Sequence, residues 1–140
     1  MNSQTTGSGI GHYRSVGAYG AASASDRVQL IMSMMSGSLD RIATAKGHML
    51  RKEVAEKCES ITGAIGLIDG LRACLDMEKG GKIAGNLEAL YDYMTRRLVE
   101  ANLNDATDIL DEVSDLLGEI KTGWEALTET PADAGTSDQP

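Results

Sequence analysis

The stretch LDMEKGGKIAGNLEALYDYMTRRLVEAN, residues 75–102, decides how the rest of the chain is read. Ile83, Leu87, Leu90, Met94, Leu98 and Ala101 recur at steps of three and four, the spacing of one face of an α-helix. Gly80 and Gly81 stand just before that stripe. A glycine pair between two apolar-periodic segments marks a break between helices, because glycine exchanges helical stability for backbone freedom.

The same period continues on both sides. Asp26 is expected to cap the first long helix, with Gln29 completing a capping-box-like pair, and Val28, Ile31, Met35, Leu39 and Ile42 make its stripe. That helix is expected to stop near Gly47. A second is expected from about Leu50 to Met77, with Ile61, Ala64, Ile65, Ile68, Leu71 and Leu75 on one face. Asn104 or Asp105 is expected to cap the fourth, whose stripe is Ile109, Val113, Leu116, Leu117, Ile120, Trp124 and Leu127. Short connections force successive helices to be antiparallel neighbours. Four inward stripes make one core. The expected fold is all-α, an antiparallel up-down-up-down four-helix bundle over residues 26–127 with a short N-terminal helical cap segment.

The flanks read differently. Residues 1–25 are rich in Gly, Ser, Ala and Thr, yet Ile10, Tyr13 and Val16 repeat every three residues as one apolar edge. Large apolar side chains in a flexible segment imply docking, and 10–19 is taken as a cap motif. Residues 128–140, with no apolar periodicity and no positive charge, read as a disordered acidic tail.

Composition narrows the function. The 140 residues carry a net charge of −8, which disfavours nucleic acid and anionic membranes as partners. No apolar run approaches the roughly 20 residues of a membrane span, and no secretory signal is evident, so a cytosolic location is expected. With no Phe and one Trp, the core must be aliphatic and Met-rich. Cys58 and Cys74, 16 residues apart on one expected helix, would stand roughly 24 Å apart, beyond disulfide reach. His12 and His48 lack ligand spacing, so no metal site is read. Gly7, Gly9 and Gly11 follow no strand and carry no phosphate-binding signal. A histidine phosphotransfer bundle would need an exposed helical histidine, whereas His48 follows Gly47 at an expected helix break. No catalytic residues and no cofactor are assigned, and the chain is not expected to be an enzyme.

The second helix breaks the simple pattern. Gly63, Gly66 and Gly70 share a face roughly opposite its core stripe, with Leu67, Ala73 and Cys74 beside them. Each interior glycine costs about 1 kcal/mol relative to alanine. The first helix places Leu30, Met34 and Gly37 similarly. Either the helical phase is slightly shifted and these residues are core, or they form an apolar surface that accepts an amphipathic helix. On the second reading the Ile10/Tyr13/Val16 segment is a displaceable cover. Tyr93, pointing away from the core, is a candidate for partner or interhelix contact. Asp92, Arg96 and Glu100 read as an i,i+4 ladder, and Asp111, Asp115 and Glu119 as a solvated acidic face.

Residues 75–102, with Ile10, Tyr13, Val16 and Trp124, resemble the flagellar export chaperones of the FliS family, which bind flagellin before its secretion. The resemblance implies a helical bundle whose N-terminal segment covers a hydrophobic site for the C-terminal part of flagellin, so Ile10, Tyr13 and Val16 take the cover role. It also implies that Leu-Asp-Met-Glu-Lys-Gly-Gly is the second interhelix turn and that Trp124 is a packing residue. Delivery of the complex to the flagellar export gate is implied as well. Two departures stand out: Asp26-Arg27 replaces a frequent Ser-Pro, and Met34-Met35 replaces a frequent Leu-Tyr or Leu-Phe. The expected flagellin-contact residues are Leu30, Met34, Gly63, Gly66, Leu67, Gly70, Cys74 and Tyr93. The free chain is expected to be a monomer or weak dimer. The alternative is a helical adaptor that homodimerises through its exposed apolar faces.

Overall fold

The computed structural model describes residues 24–137, with side chains described to Thr128. Among the described residues there are four helices: α1, Ala24–Leu50; α2, Val54–Ala73; α3, Met77–Asn104; and α4, Thr107–Ser137. The chain divides into two compact units, Met1–Leu30 and Ile31–Pro140. The described part of the first is the opening of α1. The second holds the bundle core, to which the following description applies.

The expected stripes converge. Met35, Ile42, Ile61, Ala64, Ile68, Leu71, Met94, Leu98, Val113 and Leu117 are all buried in one cluster. Burying each large aliphatic side chain stabilises the fold by about 1.5–3 kcal/mol, so this cluster is the main source of its stability. Tyr91, at the edge of the expected stripe, is fully inside, and Leu110 joins the core from α4. In this unit two stripe residues are not core: Ile83 is 72% and Leu127 63% exposed. Ile83 follows the Gly81 kink, and Ala84 is buried in its place.

The turns differ from the expected ones in instructive ways. Helix α1 runs three residues past Gly47, and α2 starts at Val54 rather than Leu50. Between them the Glu53 N–H donates to the His48 carbonyl and the Lys52 N–H to the Met49 carbonyl. That is a Schellman closure with Lys52 left-handed at φ 61°. Asp26 lies within the first turn of α1 rather than before it, where its carboxylate still complements the helix dipole.

Helix α2 ends at Ala73, before the glycine pair. Asp76 caps α3, its side chain accepting from the Lys79 N–H at 3.0 Å. Gly81, at φ 53° and ψ −127°, kinks α3 after its first turn. A side chain at Gly80 would also meet Ala84, with only 2.6 Å between the two Cβ atoms. The break at the glycine pair is therefore a kink inside α3, and the connection itself lies at Cys74–Asp76. Asp105 closes α3 in the left-handed conformation instead of opening α4. Helical backbone continues to Ser137, through most of the segment expected to be a disordered tail. Extending an existing helix adds a bond per residue without a new nucleation cost.

Neighbours are α1–α2, α2–α3, α3–α4 and, through Lys46 and Asp111 at 2.8 Å, α1–α4. Asp111 of the acidic α4 face therefore pairs with α1. In the expected ladder Arg96 does meet Asp92 at 3.0 Å, but Glu100 pairs with Arg97 at 2.9 Å.

Candidate functional site

Two of the three α2 glycines, Gly63 and Gly70, face α1. A Cβ at Gly70 would stand 3.0 Å from Met34 Sδ, and one at Gly37 of α1 would stand 3.2 Å from Leu67 Cδ1. The Arg41 side chain of α1 covers Gly63. Met34, Leu67, Gly63 and Gly70 are thus brought together, in the seam between two adjacent helices rather than on a free outer face. A bundle helix touches two neighbours as well as the core, so its apolar and small residues cover a wider arc than one stripe. Side chains from α1 fill the notches that the glycines leave.

The remaining expected contact residues are dispersed. Gly66 is exposed, with open space where a side chain would be. Cys74 is partly buried and packs against the core. Leu30 is 49% exposed. Tyr93 makes an interhelix contact: its hydroxyl donates to Glu112 Oε2 of α4 at 2.6 Å, and the Arg96 and Arg97 guanidiniums each stand 6.0 Å from its ring centre. Ile10, Tyr13 and Val16 lie outside the described residues.

Ion pairs lock the neighbouring seams. Arg72 of α2 grips Glu88 of α3 with two hydrogen bonds, at 3.0 and 2.8 Å, which holds the Glu88 carboxyl below its ordinary range. Glu112 accepts from Tyr93 and from Arg97 Nε at 2.9 Å, and its carboxyl is likewise lowered, first by the tyrosine. Tyr93 is raised in turn, chiefly by the same bond. Glu53 accepts from Arg51 at 2.8 Å and meets His48 Nδ1 at 2.7 Å, and these two partners lower its carboxyl.

Sequence reasoning missed two features at the end of the bundle where the α1–α2 and α3–α4 turns meet. Lys57 is buried, its ammonium donating to the Asn102 carbonyl at 2.9 Å and to Asp105 at 2.7 Å. A lysine carries no signal of burial, so nothing in the sequence revealed it. The second feature is a set of exposed apolar residues, Leu50, Val54, Val99 and Leu103. Here a signal existed for Val54 and Leu103, which interrupt polar runs. Leu50 and Val54 line a cleft of about 540 Å³ that Lys52, Lys57, Asp105 and Thr107 also border.

No described helix is long and apolar enough to cross a membrane.

Comparison with known proteins gives a consistent result. The family described as Flagellar protein FliS matches residues 10–131. The chain is 47% identical over 116 residues to the flagellar secretion chaperone FliSB of Pseudomonas aeruginosa, covering 83% of this chain and 92% of that protein. It is 40% identical over 124 residues to the flagellar secretion chaperone FliS of Salmonella typhimurium, covering 88% and 92%. The FliS of Vibrio cholerae is 33% identical over 115 residues, covering 82% and 85%.

Proposed function

We propose, since the chain belongs to the FliS family of flagellar proteins, that it is a cytosolic export chaperone for flagellin. It binds the C-terminal helical segment of flagellin, prevents premature polymerisation and delivers the subunit for flagellar type III export. The observation that carries this reading is the match along nearly the whole bundle to proteins named flagellar secretion chaperones. The mechanism needs no catalysis. A flagellin helix held by the chaperone is unavailable to neighbouring flagellins, so assembly is blocked by competition. The complex then passes to the export gate.

The proposed contact surface comprises Leu30, Met34, Gly63, Gly66, Leu67, Gly70, Cys74 and Tyr93, and Ile10, Tyr13 and Val16 carry the proposed cover role. Support for a helix-accepting surface comes from the side chains that fill the α1–α2 seam. Met34 is an unbranched thioether and Arg41 a long exposed side chain, and both can change rotamer at little cost.

Calorimetric titration of the full chain with a peptide from the C-terminus of its own cell's flagellin tests the reading. The expected result is one-to-one binding at micromolar affinity or tighter, about −8 kcal/mol or below, with a negative heat-capacity change. Leu67→Asp is expected to weaken it at least tenfold. Absence of binding at tens of micromolar would defeat the chaperone reading.

A further inference from the structure

The α1–α2 seam continues past the residues assigned to flagellin. Met34 at Gly70, Leu67 at Gly37 and Arg41 at Gly63 mark three levels, each one helical turn from the last. The next two levels of the same register, Thr44 with Ser60 and His48 with Glu56, line a cleft of about 440 Å³ that Asp40, Arg41 and Glu59 also border. One groove therefore runs from small and apolar side chains into acidic ones.

The cleft holds charge that the fold does not use. Asp40, Glu56 and Glu59 form no ion pair among the described residues, whereas Glu53, Glu88, Asp111 and Glu112 all do. Arg41, the cation on the rim, lies across Gly63 and has no carboxylate partner either. His48 is turned to Glu53 at 2.7 Å. Three carboxylates border one guanidinium, an excess of two negative charges. Ser60 gives an independent sign. It is only 8% exposed, and its hydroxyl makes no hydrogen bond among the described residues. No enclosed polar side-chain atom of those residues lacks a partner, so this hydroxyl opens onto the cleft that it lines. It offers an acceptor beside carboxylates that only accept. The matching chemistry is a cation with several N–H groups, an ammonium or a guanidinium.

We propose that the cleft receives a cationic side chain, Lys or Arg, of the flagellin segment lying in the seam. This contact presupposes the chaperone reading and adds to it a polar contact that sets register. Apolar contacts at Met34 and Leu67 alone would let an amphipathic helix slip by a turn, and a charge pair at a fixed distance opposes that slip. From the level of Leu67 to that of Ser60 is seven residues of α2, roughly 10 Å along its axis. The client's cation therefore stands about seven residues from its apolar anchor.

Calorimetric titration of the full chain with the flagellin C-terminal peptide, and with copies of it in which each Lys or Arg in turn becomes Gln, tests this. Glu59→Gln is expected to weaken the unaltered peptide about threefold, and Glu56→Gln with Glu59→Gln at least fivefold. Raising salt from about 0.05 to about 0.5 M should weaken wild-type binding more than binding by the double variant. One Gln-substituted peptide should bind the wild type and the double variant equally, which identifies the paired cation. Glu119→Gln, at an exposed carboxylate of α4, should bind as the wild type does. Spermidine offered in place of the peptide should show no saturable binding below about 1 mM. Saturable spermidine binding that the double variant loses would give the cleft to a free polyamine and overturn the proposal. Wild-type peptide affinity in the double variant, or a loss that no single Lys or Arg of the peptide accounts for, also overturns it and leaves the chaperone reading standing. A wild-type chain that binds no peptide defeats the chaperone reading itself, and this contact with it.

Discussion

Lysine in the first turn of a helix works against the helix dipole, and Lys57 is moreover only 5% exposed. Two groups at the end of α3 offset both costs. The Asn102 carbonyl belongs to the last turn of α3, where carbonyls lack intrahelical partners, and Asp105 follows in the left-handed closure. One ammonium thus caps the end of α3 while holding α2 against it. Replacing it with Lys57→Met keeps the volume, returns Asp105 to water and removes a donor from the Asn102 carbonyl. The expected loss is about 1–3 kcal/mol, read as a lower urea midpoint at unchanged slope. An unchanged midpoint would mean that the pair contributes nothing net.

Among the helices, α2 and α3 show that glycines of similar appearance in sequence do different work. Gly66 faces open space in ordinary helical backbone, so Gly66→Ala is expected to raise stability by about 1 kcal/mol. Gly81 has a backbone that a Cβ disfavours, so Gly81→Ala should lower it by at least about 1 kcal/mol. Thermal melts of the two variants should move in opposite directions, and parallel shifts would contradict this assignment. The contrast also explains what periodicity could reveal. Stripes such as Ile61–Ala64–Ile68–Leu71 were legible because burial on one face repeats with the helical turn. Ile83 was misread because the kink at Gly81 turns Ala84 inward in its place. The placement of Gly63 and Gly70 was misread because a helix's second neighbour leaves no periodic mark of its own. Of the expected contact residues, Met34, Leu67, Gly63 and Gly70 cluster as a group, although against α1 rather than on an outer face. The left-handed closures at Lys52 and Asp105 were hidden because neither position carries the usual glycine.

For the molecule as a whole, charge pairs between elements set the pH range of stability. The Glu53, Glu88 and Glu112 carboxyls are all lowered by their partners. Their contribution is therefore complete above the ordinary carboxylate value of 4.5 and is lost as pH falls below it through the folded-state values. At the alkaline end, burial pushes the Tyr91 hydroxyl up to about 12. Unfolded chains ionise this tyrosine near pH 10, so stability should decline from there to about 12. Urea midpoints against pH should show a plateau between these limits. Tyr91→Phe should flatten the alkaline limb, and an equally steep limb in that variant would remove Tyr91 as its cause. The lone tryptophan has a practical consequence. Trp124 is half-buried against the core from α4, in a chain without phenylalanine. Its emission samples one turn of one helix, so loosening of α4 will change the fluorescence while circular dichroism still registers the other three helices intact.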